Sequence, residues 1–416
     1  MKFESEDIVF TPITSLLSVV IDNRGRTCPT AEEGIPLIAT NCIGNENLYP
    51  VKKNIRYISI ETYNTWFRGH PEPGDIIFVN KGTPGRVCLV PDPIDFCIAQ
   101  DMVSLRVNEH INNLYLLAAI RAPQVQNQIQ QMQVGTMIPH FKKGDFEKLL
   151  IPMRDMPIQR AIGRIYFELS QKIDVNERAS KTLEDIAQTI FKSWFIDFDP
   201  VKSKMAGEKP AGMDSATAAL FPDSLQESEV GLIPNSWQVQ HLGDLVTPKK
   251  GKTITKATCV DGEVPVVAGG LQPAYFHNTA NALQPVITVS ASGANAGYVR
   301  LYLKDIWASD CSYVNSEITQ TVHFWYLFLS RNQEFIYGMQ QGAAQPHIYP
   351  SDLMRLKLSY PNSIDVVMKF EEAVTPLFLE IGALERQNES LKSLRDSLLP
   401  RLISGELQIP EEMLAS

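Results

Sequence analysis

Two long stretches carry apolar residues at alternating spacings of three and four. Over residues 157–195 the rhythm is kept by Ile162, Tyr166, Leu169, Ile173, Asn176, Ser180, Leu183, Ile186 and Ile190. That spacing lines one stripe of an α-helix. Near the end of the chain it returns with Phe370, Val374, Leu377, Ile381, Leu384, Asn388, Leu391, Leu394 and Leu398. A shift of about 200 residues lays Leu169 on Leu377 and Ile173 on Ile381. A stripe so long and narrow needs a partner to bury it. The two helices, placed at 156–198 and 361–404, are therefore expected to pair with each other.

The remaining chain alternates short apolar runs with turn residues. Ile35–Ile38 and Ile76–Val79 read as strands, the second introduced by Pro73-Gly74-Asp75. A glycine-containing turn follows (Lys81, Gly82, Thr83, Pro84, Gly85, Arg86), with Val87–Val90 as the returning strand. Asn113–Ile120 begins a short helix, 124–133 is rich in glutamine, and Leu150-Ile151-Pro152 is a strand leading to the first long helix. Residues 199–234 are dominated by Gly, Pro, Ser and charged side chains and read as a linker or extended surface segment.

The second mixed region then repeats the first. Ile35-Pro36 is answered by Val264-Pro265, and the strand and turn ending at Arg86-Val87 by the run from Val286 to Val299. Asp101 is answered by Asp310. Gly135, Pro139, His140, Asp145 and Leu149 match Gly342, Pro346, His347, Asp352 and Leu356 at constant offset. The expected architecture is α+β with an internal pseudo-two-fold repeat: a mixed domain over 1–155, a long helix, a linker, a mixed domain over 235–360, a long helix, and a tail over 405–416.

Composition adds limits. The net charge of −9 is the wrong sign for a protein that coats nucleic acid, although binding follows local potential. Six scattered cysteines form no Cys-x-x-Cys pair, which argues against zinc and disulfides and fits a reducing cytoplasm. No apolar run is long enough for a bilayer, and MKFESEDIVF does not read as a signal peptide. Catalytic patterns are missing. Gly251-Lys252-Thr253 imitates the end of a phosphate loop, but Val246 stands where its first Gly belongs. Pro222-Asp223 with Glu227 imitates a nuclease motif, but Glu229 stands where a Lys is needed. No metal-ligand spacing occurs. The expectation is a chain with no catalytic residues and no metal.

The first turn, with Lys81, Thr83 and Arg86, suits a DNA groove or phosphates; its residues equally suit a solvated turn. The recurrence of His140 and His347 fits a ligand contact or a repeated structural turn. Lys249, Lys250, Lys252 and Lys256 suit backbone phosphates or a solubilising loop.

Three further segments carry a resemblance. FKSWFIDFDPVKSKM over 191–205, continuing to Gly212-Met213-Asp214 and to ALFPDS over 219–224, is similar to the central region of the DNA-specificity subunits of type I restriction-modification systems. So are GLIPNSW over 231–237 and LLPRLISGEL over 398–407. The resemblance implies two target recognition domains, each reading one half of a split double-stranded DNA site. It also implies an antiparallel coiled coil as spacer; about 38 helical residues span roughly 57 Å. Methyltransferase subunits and restriction/translocase subunits would be the partners, and S-adenosylmethionine, ATP and Mg would belong to them. Trp194, Phe195 and Phe198 are candidate partner contacts, or else helix-pair core.

On that reading the DNA contacts come from the two hairpin tips, the loops before the long helices and the lysine cluster: Lys81, Thr83, Arg86, Lys142 and Lys143 in the first half; Lys249, Lys250, Lys252, Ser290, Ser292, Asn295, Tyr298, Gln345 and His347 in the second. Two other readings compete. One is a scaffold that binds no DNA. The other is a fragment of a fused nuclease-methyltransferase.

Overall fold

The computed structural model describes residues 8–23, 27–135, 137–342 and 346–414. Two compact units emerge, one formed by 1–177 with 386–416 and the other by 178–385.

In the first unit, Val9–Pro12 pairs antiparallel with Leu150–Met153. A four-stranded sheet runs in the order Leu17–Asp22, Met102–Val107, Ile76–Val79, Val87–Leu89, and a three-stranded sheet in the order Arg56–Ile58, Ile35–Ile38, Cys97–Ile98. Ile76–Val79 is wholly buried, as its unbroken apolar run demands of an inner strand. Helix Asn113–Arg121 starts where the Asn112 side chain accepts from the Tyr115 amide at 3.0 Å. It ends at Ala122 because Pro123 follows. Pro123 opens the next helix, Pro123–Met132. This helix occupies the glutamine-rich stretch, with Val125 and Ile129 on its buried face.

The second unit has the same plan. Gln238–His241 pairs with Lys357–Tyr360. The four-stranded order is Lys249–Lys250, Cys311–Asn315, Val286–Ser290, Val299–Tyr302, and the three-stranded order Tyr275–His277, Val264–Val267, Trp307–Ala308. In both three-stranded sheets one pair is antiparallel and one parallel. The repeat in the sequence is therefore a repeat of topology, strand for strand.

The long helices are Met156–Phe195 and Ile364–Ile403, forty residues each. In the first unit the start of one lies on the end of the other: Ile162, Tyr166 and Leu169 share a small space with Leu398, Leu399 and Leu402. In the second unit the end of the first lies on the start of the second, with the rings of Phe191, Trp194 and Phe195 all within 6 Å of Phe370. Each unit thus shows an antiparallel pair. Ile162, Tyr166, Ile173, Phe370, Val374 and Ile381 are buried, and Leu169, Leu183, Ile190, Leu377, Leu384, Leu391 and Leu398 half-buried.

Two expectations on this seam fail. Ile186 and Leu394 are 43% and 47% exposed. A straight helix drifts against a repeat of 3.5 residues, so the buried stripe moves on to Ala187, Phe191 and Trp194, and to Arg395, Leu399 and Leu402.

The segment 199–234 also differs from the linker expected. It forms helices Asp199–Met205 and Ser215–Ala219 and the hairpin of Leu225–Ser228 with Gly231–Pro234. Val201, Phe221 and Ile233 are at most 2% exposed in the core of the second unit. A few well-placed apolar anchors outweigh a polar composition. Trp194, Phe195 and Phe198 belong to the same core, packed with Phe221 and Trp237, so they are not exposed partner contacts.

Candidate nucleic-acid interface

The hairpin tip and the loop before the long helix, far apart in sequence, meet in each unit. In the first, the Gly82 amide donates to the Pro139 carbonyl at 2.8 Å and the Phe141 amide to Asn80 at 2.7 Å. Val134 and His140 exchange both backbone bonds, at 3.0 and 2.9 Å. In the second, Gly293 donates to Pro346 at 3.0 Å, Ile348 to Ala291 at 3.0 Å, and Gln341 and His347 exchange bonds at 3.0 and 2.9 Å. Gly82 and Gly293 have φ of 87° and 80°, Gly135 and Gly342 92° and 91°. Only glycine takes this conformation without strain, so the recurrence of these glycines is conformational.

The other recurring residues occupy equivalent places in the same frame. His140 and His347 form the bridge that joins loop to tip, opposite Lys81 and Ser292. The bridge fixes their place in the frame but makes no demand on the histidine side chain. Asp101 and Asp310 offer their carbonyls to the Asn80 and Ala291 amides at the base of each tip, at 2.9 and 3.1 Å. The glutamine-rich helix supplies a support that sequence reading missed. The Gln126 amide group donates to the Gly85 carbonyl at 2.9 Å, as Gln333 does to Gly297 at 2.8 Å. The signal was their equal distance, nine residues, before Gly135 and Gly342.

Of the named candidates in the first unit, Lys81, Arg86 and Lys142 are exposed. Lys143 is exposed but lies 3.5 Å from the Asp22 carboxylate. Thr83 is half-buried, and its hydroxyl oxygen is buried without a hydrogen-bond partner. Register places the end of strand Leu17–Asp22 beside Val103, itself opposite Phe78, so Asp22 leaves the sheet at the tip end.

In the second unit three candidates point inward. The Ser290 hydroxyl donates to the Gly269 carbonyl at 3.3 Å, the Asn295 amide to the same carbonyl at 3.4 Å, and the Ser292 hydroxyl to the Asp310 carboxylate. In this structure these side chains bond within the tip. Tyr298 and His347 are half-buried, and His347 stacks on the exposed Tyr349. Gln345 lies outside the described residues. Lys249 and Lys250 are exposed on an edge strand opposite Tyr313 and Ser312. Because Ser312 faces Val289 and Cys311 faces Ser290, the chain from Lys250 to Lys252 leaves the sheet at the tip end. The Lys252 ammonium sits 6.0 Å over the Trp307 ring, whose N–H donates to the Lys252 carbonyl at 2.8 Å. The basic cluster and the tip thus share one end of one sheet.

Burial pushes the thiols of Cys97 and Cys311 up to about 12, which keeps them protonated. Among the described residues no group of His, Cys, Asp or Glu is arranged to hold a metal ion, and no helix is long and apolar enough to cross a membrane.

Comparison with known proteins identifies the family. The family model described as the type I restriction modification DNA specificity domain matches residues 21–185 and 234–366, once in each repeat. The chain is 22% identical over 361 residues to the type I restriction enzyme MjaIX specificity subunit of Methanocaldococcus jannaschii, covering 81% of this chain and 78% of that one. It is 24% identical over 404 residues to the HindI specificity subunit of Haemophilus influenzae, covering 80% and 86%. In fold it is similar to the crystal structure of a type I restriction-modification S subunit from M. genitalium, with a TM-score of 0.55, 18% identity, and coverage of 97% and 98%. With the family model spanning most of the chain and matching both halves of its repeat, this protein belongs to the type I restriction-modification DNA specificity family.

Proposed function

We propose that each mixed domain reads one half of a bipartite DNA target through its tip and loop, and that the paired long helices serve as the spacer and as a docking face for methyltransferase subunits. The observation that carries this reading is the duplicated frame. One main-chain scaffold is built twice and furnished with different side chains, as two readers of different half-sites require. Exposed Lys81, Arg86, Lys142, Lys249 and Lys250 are suited to phosphates and base edges. The chain itself performs no chemistry in this proposal. Methyl transfer, DNA translocation and cleavage belong to partner subunits, which also bind S-adenosylmethionine, ATP and Mg.

The test is genome-wide mapping of methyladenine in cells expressing a cognate methyltransferase with and without this chain. A new split motif that needs the chain supports the reading. Exchanging residues 1–155 for those of another specificity subunit then changes one half-site only. No motif, with a methyltransferase proven competent alongside another specificity subunit, rejects it in favour of a scaffold that binds no DNA.

A further inference from the structure

The loop between Val134 and His140 ends in two bulky apolar residues turned to solvent: Met137 is 93% exposed and Ile138 56%. Their backbone is not free to fold them away. The Val134–His140 bonds close the loop, the Gly82–Pro139 bond ties it to the hairpin tip, and a side chain at Gly135 would meet the Ile138 carbonyl at 2.8 Å. The hairpin tip bonded to this loop and the loop's own continuation carry the exposed cations Lys81, Arg86 and Lys142. Two neighbouring acids are engaged elsewhere, Asp22 with Lys143 and Asp145 with Lys148 at 3.0 Å, while Asp101 stands at the base of the tip with its carbonyl bonded to the Asn80 amide.

We propose that Met137 and Ile138 are specificity-determining residues that pack against the C5 methyl group of a thymine in the major groove of the first half-site. This rests on the reading-domain function proposed above. Two adjacent side chains are far too small a patch for a protein interface, which buries on the order of 1,200 Å² or more. Exposed cations on the tip and loop suit a polyanion. Neither side chain carries a donor or a strong acceptor, so neither reads a base by an ordinary hydrogen bond. The thymine methyl is the apolar group that distinguishes base pairs on the major-groove edge.

The second domain supplies an internal comparison. Its loop has the same Gly, Pro and His at the same offsets, yet the sequence between them is Ala343-Ala344-Gln345 where the first has Thr136-Met137-Ile138. Thr136 and 343–345 lie outside the described residues, so the comparison is of sequence within a shared frame. The first loop places the bulky apolar Met137 and Ile138 at the positions that Ala344 and Gln345 hold in the second.

The experiment uses the full chain in complex with its methyltransferase subunits and a duplex carrying the target found by methylation mapping. Each thymine of the first half-site is replaced in turn by uracil, which removes the methyl and leaves every base-edge hydrogen bond in place. Binding is measured for the wild-type complex and for one carrying Met137→Gln with Ile138→Thr, exposed positions where polar residues leave the core untouched. The expected result is a loss of about fourfold at one or two thymines, the worth of one buried methyl group each. In the variant the same replacements have no effect, and sensitivity in the second half-site is unchanged. A first half-site with no A·T pair, no methyl-sensitive position, or sensitivity that survives in the variant overturns the proposal while leaving the reading function intact. A complex that does not discriminate its target at all removes the reading function, and this proposal with it.

Discussion

The side-chain amide of Asn176 donates to the side-chain oxygen of Asn388 at 2.8 Å, and the two residues are 1% and 7% exposed in the seam of the long helices. Asn176 also donates to Gln387 at 2.7 Å, and Asn388 to the Ile173 carbonyl at 3.4 Å. A buried amide pair in an apolar seam is satisfied in one register only and penalises the others. Asn176→Leu should destabilise the protein by about 1–3 kcal/mol, since it strands the Asn388 side chain. Adding Asn388→Leu should recover most of that loss while admitting other pairings. Chemical denaturation reads the first effect, and analytical ultracentrifugation reads the second as mixed oligomers.

Arg121 is 8% exposed and joins the returning strand of the first hairpin to the first long helix. Its guanidinium donates to the Val87 carbonyl at 2.7 Å and to the Tyr166 hydroxyl at 3.1 Å, with the Arg395 guanidinium 5.6 Å from the centre of the same ring. Arg121→Ala leaves buried acceptors unpaired and should cost about 3 kcal/mol. Lysine should restore little, because it lacks the planar fork. Thermal unfolding checks the cost. The functional counterpart, in methylation mapping, is relaxed reading of the first half-site with the second unchanged.

Glu371 caps a helix that is not its own. Its carboxylate accepts from the amides of His323 at 3.0 Å and Phe324 at 2.9 Å, at the start of Val322–Arg331, and from the His323 ring at 2.8 Å. Glu371→Ala removes the cap and should cost about 1–2 kcal/mol. Proteolysis should then find new cuts between 178 and 385 and spare the other unit.

Lys81→Ala and Arg86→Ala should weaken binding of the target. For each phosphate that is no longer neutralised, the slope of log affinity against log salt should fall by about 0.9. A variant that instead relaxes one base position at unchanged slope would mark that residue as a base reader. Fluorescence titration of the methyltransferase complex at several salt concentrations separates the two.

The buried thiols make a prediction about reactivity. With Cys97 and Cys311 pushed up to about 12 by burial, neither should react with a maleimide at neutral pH while the protein is folded. Cys259 is half-buried and should label first. Mass spectrometry of a timed labelling reaction reads the order.

Local pattern carries much of this architecture. The run Ile76–Val79, the glycine turn and Val87–Leu89 are legible as a hairpin because strand and turn chemistry agree over a dozen residues. The long helices are legible because their stripe persists. Ile186 and Leu394 are misplaced for the same reason, since a rule of threes and fours carries no memory of accumulated drift. The bonds that Ser290, Ser292 and Asn295 make within the tip are not legible in the sequence, because their acceptors, Gly269 and Asp310, lie 18 or more positions away in the chain. The helix Pro123–Met132 is hidden by glutamines, since only Val125 and Ile129 mark its buried face. Sequence shows that the two loops recur; their meeting with the hairpin tips is tertiary and becomes visible only in the fold.

Each tip-and-loop frame is joined by peptide groups, and a peptide group is the same whatever residue bears it. The bonds from Gly82 to Pro139 and between Val134 and His140 therefore place no demand on the side chains at 137 and 138. Those positions are open to exchange without cost to folding. If Met137 and Ile138 read the target as proposed, a new preference would arise there by single substitutions, or by transplanting a three-residue cassette between the halves of one gene, with no compensating change elsewhere. The scaffold is in that sense inheritable apart from what it reads.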